Sequence, residues 1–192
     1  MMKRILLGTL GMALTLATAA FAQGEYNHAE IGAFANYTRL SAADNSNFYG
    51  AGGRFGLNVA SGLQLEAEGA YDLSRNVTAE VGGNSSTITV ETSGLRIVHF
   101  LAGPKFQFGG SGPIHVFVTV KGGLIDFSTL KSFPAQINTI PSGSTDGVLY
   151  PAAGIELFAG WLGLRVEAGD EIYFDSGANN NLRVTAGPTI RF

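Results

Sequence analysis

Leu63-Gln64-Leu65-Glu66-Ala67-Glu68-Gly69-Ala70-Tyr71-Asp72-Leu73 alternates apolar and polar side chains over eleven positions. Leu63, Leu65, Ala67, Tyr71 and Leu73 share one face, and Gln64, Glu66, Glu68 and Asp72 share the other. A repeat of two is the signature of a β-strand with unlike environments on its two sides. The end of the chain reads the same way. There Leu182, Val184, Ala186, Ile190 and Phe192 oppose Arg183, Thr185, Thr189 and Arg191.

Eight such segments follow one another, near 29–39, 51–59, 63–73, 95–108, 113–125, 148–158, 161–174 and 182–192. Most are about the 9–11 residues that a tilted strand needs to cross a hydrocarbon layer. Ala60-Ser61-Gly62, 109–112 and Ala159-Gly160 are short, glycine-bearing links, whereas 40–50, 74–94, 126–147 and 175–181 are long and polar. Short turns on one side and long loops on the other predict an all-β fold. It is an eight-stranded antiparallel up-and-down transmembrane barrel with periplasmic turns and extracellular loops. Segments 76–81 and 87–92, split by Gly82-Gly83-Asn84, continue one hairpin above the membrane.

The other end of the chain sets the compartment. Lys3 and Arg4 precede an apolar stretch from Ile5 to Ala19, and Ala20-Phe21-Ala22 fits the small-residue cleavage rule, with the cut before Gln23. Residues 1–22 are thus expected to be a removed signal peptide, and 23–192 one barrel domain. Removing Lys3 and Arg4 from 12 basic residues leaves 10 against 15 acidic, a net charge near −5. No basic patch survives to bind nucleic acid. Cysteine is absent, which excludes disulfides, thiolate metal sites and a cysteine nucleophile. Only 14% of residues are charged, and 27 of 192 are glycine. Charge this sparse suits a wall whose outer face meets lipid.

Pairing about the 60–62 turn sets Arg54 opposite Glu68, Asn58 opposite Gln64 and Leu57 opposite Leu65. A salt bridge then lies inside and an apolar pair outside, as sheet stability asks. The inward face is expected to carry Glu30, Glu66, Glu68, Asp72, Glu156, Glu167 and Glu171 against Arg54, Arg96, Lys105, Lys121, Arg165, Arg183 and Arg191. Charges that balance in this way form a closed network, and an eight-stranded lumen is only wide enough for its own side chains. Aromatic girdles are expected at both interfaces. Phe106, Phe108, Phe192 and a Phe158–Trp161 pair lie below, and Tyr37, Tyr71, Tyr150, Tyr173 and Phe174 above. Pro104, Pro151 and Pro188 fall within strands, where bulges would accommodate the missing donor.

These residues resemble the small outer-membrane barrel families, the OmpA-like transmembrane domain and related outer-membrane β-barrel domains. The likeness rests on the signal, on Phe100-Leu101-Ala102-Gly103-Pro104-Lys105-Phe106 and on the ending Leu182 to Phe192. It implies residence in the bacterial outer membrane among lipid and lipopolysaccharide. It also implies that Ile190 and Phe192 form the C-terminal signal read by the outer-membrane assembly machinery. The chain stops at the barrel, so peptidoglycan anchoring does not carry over.

Chemistry is sparse. His28, His99 and His115 are the only histidines. His99 and His115 point inward, with His99 opposite Gly122 and His115 opposite Phe106, too far apart to share a metal or catalytic site. No serine stands beside them as in lipid A-modifying barrel hydrolases, and Glu66 and Glu68 have bases nearby to neutralise them. No catalytic, cofactor or metal residue is expected. The reading is a monomeric structural or surface-interaction barrel whose loops, including Lys131 to Gln136, meet a surface ligand. A narrow porin-like channel and a lipid A-modifying enzyme are the alternatives, with a soluble lipocalin-like barrel behind them.

Overall fold

In the computed structural model, strands β1 (Ala29–Leu40), β2 (Ser46–Ala60), β3 (Leu63–Gly82), β4 (Ile88–Phe108), β5 (Ile114–Thr129), β6 (Ser144–Ala159), β7 (Leu162–Phe174) and β8 (Ala178–Arg191) form one closed antiparallel barrel in chain order. The structure describes residues 28–41, 46–82, 88–109, 112–129, 144–175 and 177–192. The signal segment, its Ala20, Ala22 and Gln23 processing site, and the Lys131–Gln136 stretch lie outside the described residues. β1 and β8 close the ring, and the Ala29 and Phe192 backbones exchange two hydrogen bonds of 2.9 Å.

The β2–β3 register is the one expected from the turn, with Arg54 opposite Glu68, Leu57 opposite Leu65 and Asn58 opposite Gln64. Gly62 takes a positive φ of 76° in that turn, a conformation that a Cβ disfavours. The strands run longer than the alternation suggested. β3 and β4 stay paired out to Gly82 and Ile88, past a register shift between Asp72 and Arg75, so the hairpin does continue beyond the barrel wall.

Three other expectations change. The β4–β5 register is displaced, because the connecting turn is longer than expected. His99 therefore sits opposite Ile125, and Phe108 opposite Val116. At the third turn Ala159 pairs with Leu162 and Phe158 with Gly163, so Phe158 turns inward while Trp161 is exposed. The in-strand prolines need no bulge. Beside Pro104 the β4–β5 pairing resumes in unchanged register, from Ala102–Gly122 to Lys105–Thr119, and Pro151 and Pro188 behave likewise. An antiparallel residue points its N–H at one neighbour only. A proline therefore interrupts one ladder and keeps its place in the other, as Leu65–Pro104, Val120–Pro151 and Leu164–Pro188 do.

Inside and outside are inverted relative to a soluble protein. Val118, Val120 and Leu164 on the outer wall are about half exposed, while Lys105, Lys121 and Arg183 are buried. The apolar outer band ends at Phe106, Phe108, Trp161 and Phe192 below. Above, it ends at the exposed Tyr49, Tyr71 and Phe174 and then at polar groups such as Arg39 and Asp126. Hydroxyls of Ser128 and Thr145 donate to the two Asp126 oxygens and hold that carboxyl below its ordinary range. A charge within the band should be costly. Val120→Arg is expected to destabilise the barrel by about 2–4 kcal/mol in reversible unfolding from bilayers. An unchanged stability there would argue for water, not lipid, against this wall.

Candidate functional site

The lumen holds the protein's concentrated chemistry. Alternation along each strand sends Glu66, Glu68 and Asp72 of β3, Lys121 of β5, Glu156 of β6, Arg165, Glu167 and Glu171 of β7 and Arg183 of β8 inward, all buried. Toward the periplasmic end, Glu30 accepts from Gln64 (3.2 Å), from the Thr189 hydroxyl (2.6 Å) and from Lys105 (3.4 Å). Lys105 also donates to Glu156 at 2.7 Å.

In the middle, the Lys121 ammonium lies 2.6 Å from Glu66, 2.6 Å from Glu68 and 3.2 Å from Glu167. Arg165 donates to both Glu66 oxygens, at 2.5 and 3.1 Å, and also reaches Glu167 and Glu156. Arg54 donates to Glu167 at 3.4 Å and to Thr185 at 2.9 Å. Its strand neighbour Glu68 takes Lys121 and Arg183 instead, so the expected Arg54–Glu68 salt bridge does not form. The reason is reach. Inward side chains converge on the barrel axis, and long ones meet partners on other strands as easily as the residue beside them.

Aromatic rings fill the space between these charges. Arg165 lies 4.1 Å from the centroid of Phe117, and Arg54 4.3 Å from that of Phe34. Such stacking leaves the guanidinium edge free for carboxylates while its face covers an apolar ring. Room for these rings comes from facing glycines. A Cβ on Gly52 would meet the Phe34 ring at 2.5 Å.

Two expected members of the network lie elsewhere. Arg96 is on the outer face, because β4 directs Leu95, Ile97, His99 and Lys105 inward and so turns the even positions out. Above the apolar band an outward charge meets headgroups and water, so charge alone does not mark the lumen. Arg191 is inward by alternation but sits at the periplasmic rim. It donates to the Gly160 carbonyl at 2.9 Å and lies 4.2 Å from the Phe158 ring centroid.

His99 occupies a place in the network that the sequence did not give it. One ring nitrogen is 3.0 Å from Glu171 and the other 3.2 Å from Asp72, at 1% exposure. Asp72 also accepts from Asn36 at 2.6 Å, and Asn36 accepts from Arg183 at 2.8 Å. With both nitrogens facing carboxylates, His99 has none left to activate a hydroxyl. His115 stands far below, edge-on to Phe158 at 5.7 Å.

The extracellular half of the lumen was not legible as such. Leu40, Phe48, Leu95, Ile97, Leu101, Ile125, Phe127, Val148, Tyr150 and Tyr173 pack there into a buried apolar plug. Tyr150 and Tyr173 thus face inward and are not part of the outer girdle. The available signal was the pattern of segment 95–101, where inward Leu95, Ile97 and Leu101 are as apolar as outward Val98 and Phe100.

A closed ring of short-turned, long-looped strands, apolar without and charged within, has well-defined counterparts. The crystal structure of Neisserial surface protein A superposes with a TM-score of 0.59 at 12% identity, covering 88% of this chain and 100% of that one. The chain has the fold of the small outer-membrane β-barrels. OprG from Pseudomonas aeruginosa gives a TM-score of 0.56 at 12% identity (88% and 98% covered). The N-terminal β-barrel domain of Pseudomonas aeruginosa OprF gives 0.52 at 15% (88% and 100% covered). No protein-family model and no curated relative matches the sequence. At these identities the likeness is one of fold.

Proposed function

We propose that this outer-membrane barrel is a closed, monomeric scaffold that presents its extracellular loops to a surface ligand, and that it carries out no catalysis. The observation behind this reading is the double closure of the lumen. Ion pairs such as Lys121–Glu68, Arg183–Glu68 and Arg165–Glu66 span the interior, and the apolar plug lies above them. A rigid wall with variable connections places specificity in the loops. Ile190 and Phe192 both face outward at the C-terminal end of β8, where the assembly machinery would read them, and lipid and lipopolysaccharide surround the outer band.

The first test is gel mobility of the protein from a washed outer-membrane fraction, with and without boiling. A heat-dependent shift is expected, and absence from that fraction would remove the reading. Planar-bilayer recordings then separate scaffold from channel. The scaffold gives no reproducible steps. A narrow channel, which the excess of inward carboxylates over arginine and lysine would make cation-selective, gives them.

A further inference from the structure

Among the described buried groups, Glu30, Glu66, Glu68, Asp72, Glu156, Glu167 and Glu171 face Arg54, Lys105, Lys121, Arg165 and Arg183 as permanent cations, with Arg191 apart at the rim. The remaining ionisable group in contact with the network is His99, and of all these side chains a free imidazole is the one whose ordinary titration range lies nearest neutrality. Its position matters as much as its chemistry. Asp72 is on β3 and Glu171 on β7, which are opposite walls of an eight-strand ring, and His99 on β4 touches both. The imidazole lies at the upper end of the charged layer, with Ile97 and Leu101 of the apolar plug flanking it on its own strand and Ile125 opposite.

We infer that His99 is a proton-operated latch, its imidazolium tying opposite walls of the barrel together beneath the extracellular plug. Two carboxylate acceptors facing two ring nitrogens call for hydrogen on both. When the ring gives up one proton, one hydrogen bond is lost, and Asp72 and Glu171 are left across a neutral ring. No described neighbour donates to Glu171 at hydrogen-bond distance in place of the ring, although the Tyr150 hydroxyl, the Asn181 amide opposite Glu171 and one Arg183 Nη lie buried without hydrogen-bond partners. Arg183 of β8 already serves Glu68 at 2.6 Å and reaches Glu171 only at 3.6 Å. Asn36 of β1 is committed to Asp72, Thr38 and Arg183, and Tyr150 of β6 lies against Arg183 with its ring centroid 5.0 Å away. From β2 the nearby inward positions are Phe48 and Gly50, and from β5 Ile125, none of them titratable. One of the two Glu171 oxygens has no hydrogen-bond partner, so the carboxylate is held by its other oxygen alone.

The sign follows. The tie is present while the ring carries both protons and is lost as pH rises through the interval in which it sheds one. Over that interval the folding equilibrium constant should fall by up to about tenfold per pH unit. Protonation of Asp72 or Glu171 releases the same tie from the acid side. The inference needs only the folded barrel and does not depend on what the loops bind.

The test uses the full-length protein in bilayers. Imidazole nitrogen signals of His99 are followed by NMR against pH, together with amide exchange of the upper parts of β3, β4 and β7. Two protonated nitrogens at neutral pH, and faster exchange in those strands as the second proton leaves, are expected. His99→Gln, which keeps a donor but not the charge, should show the faster exchange throughout and no pH step. A neutral His99 ring at neutral pH overturns the proposal without any variant being made. A pH step retained in His99→Gln overturns it too, since His28 or His115 would then be its source.

Discussion

Lys121→Met is expected to lower the unfolding free energy by about 3–5 kcal/mol, the scale of breaking a buried charge cluster by removing one partner. Methionine matches the length of the lysine stem, so packing changes little and the charge is what is lost. The ammonium is within 3.2 Å of Glu66, Glu68 and Glu167. Arg165 still holds Glu66 and Arg183 still holds Glu68, but Glu167 is left to Arg165 and to Arg54 at 3.4 Å. Three carboxylates then share a space whose only exits from repulsion are protonation or water entry. Glu68→Gln in the same chain should return part of the loss, since it removes one of the stranded charges. A double-mutant cycle in urea unfolding from lipid bilayers measures that coupling. A loss below about 1 kcal/mol for Lys121→Met would mean that the central charges act independently.

How much of this site could be read in advance differs from strand to strand. β3 was fully legible, because Glu66, Glu68 and Asp72 alternate with Leu65, Ala67 and Tyr71 and leave one assignment of faces. Its register with β2 followed from a turn bracketed by Gly62. The direction of each side chain was thus accessible, but not its partner. Arg54 stands opposite Glu68 yet bonds Glu167 and Thr185, because the lumen is shared by eight walls and only the closed geometry says which ends meet.

β4 shows where alternation stops informing. From Leu95 to Leu101 each face is apolar but for one residue, Arg96 on one and His99 on the other, so the period carries no sense of inside and charge alone points Arg96 the wrong way. The strand itself settles the matter through Lys105, which shares the parity of His99 and not that of Arg96. The plug is hidden in the sequence for the same reason. Its members come from six strands, one to three residues each, and only closure of the ring brings them together. Tyr150 and Tyr173 look like interface aromatics in sequence, since a ring near a strand end satisfies either role.

Phe127→Ala is expected to cost about 3–5 kcal/mol, as removal of a buried phenylalanine does, and yet leave the barrel closed to ions. Phe127 is fully buried in the plug, with its ring 5.2 Å from that of Tyr173 and its backbone paired to Ile97. Phe100, an equal ring on the lipid side of β4, is 62% exposed to its surroundings. Phe100→Ala should therefore cost less, because lipid chains can occupy the vacated surface while the packed plug cannot refill itself. Conduction obeys a different rule from stability. An ion that passed the weakened plug would still meet Arg183 and Lys121, each held by carboxylates from other walls. The two barriers lie in series, and removing one does not open a path. Planar-bilayer recordings of Phe127→Ala should accordingly stay silent while its unfolding midpoint falls. Reproducible steps from this single substitution would make the apolar plug the seal and reduce the charged layer to a structural brace.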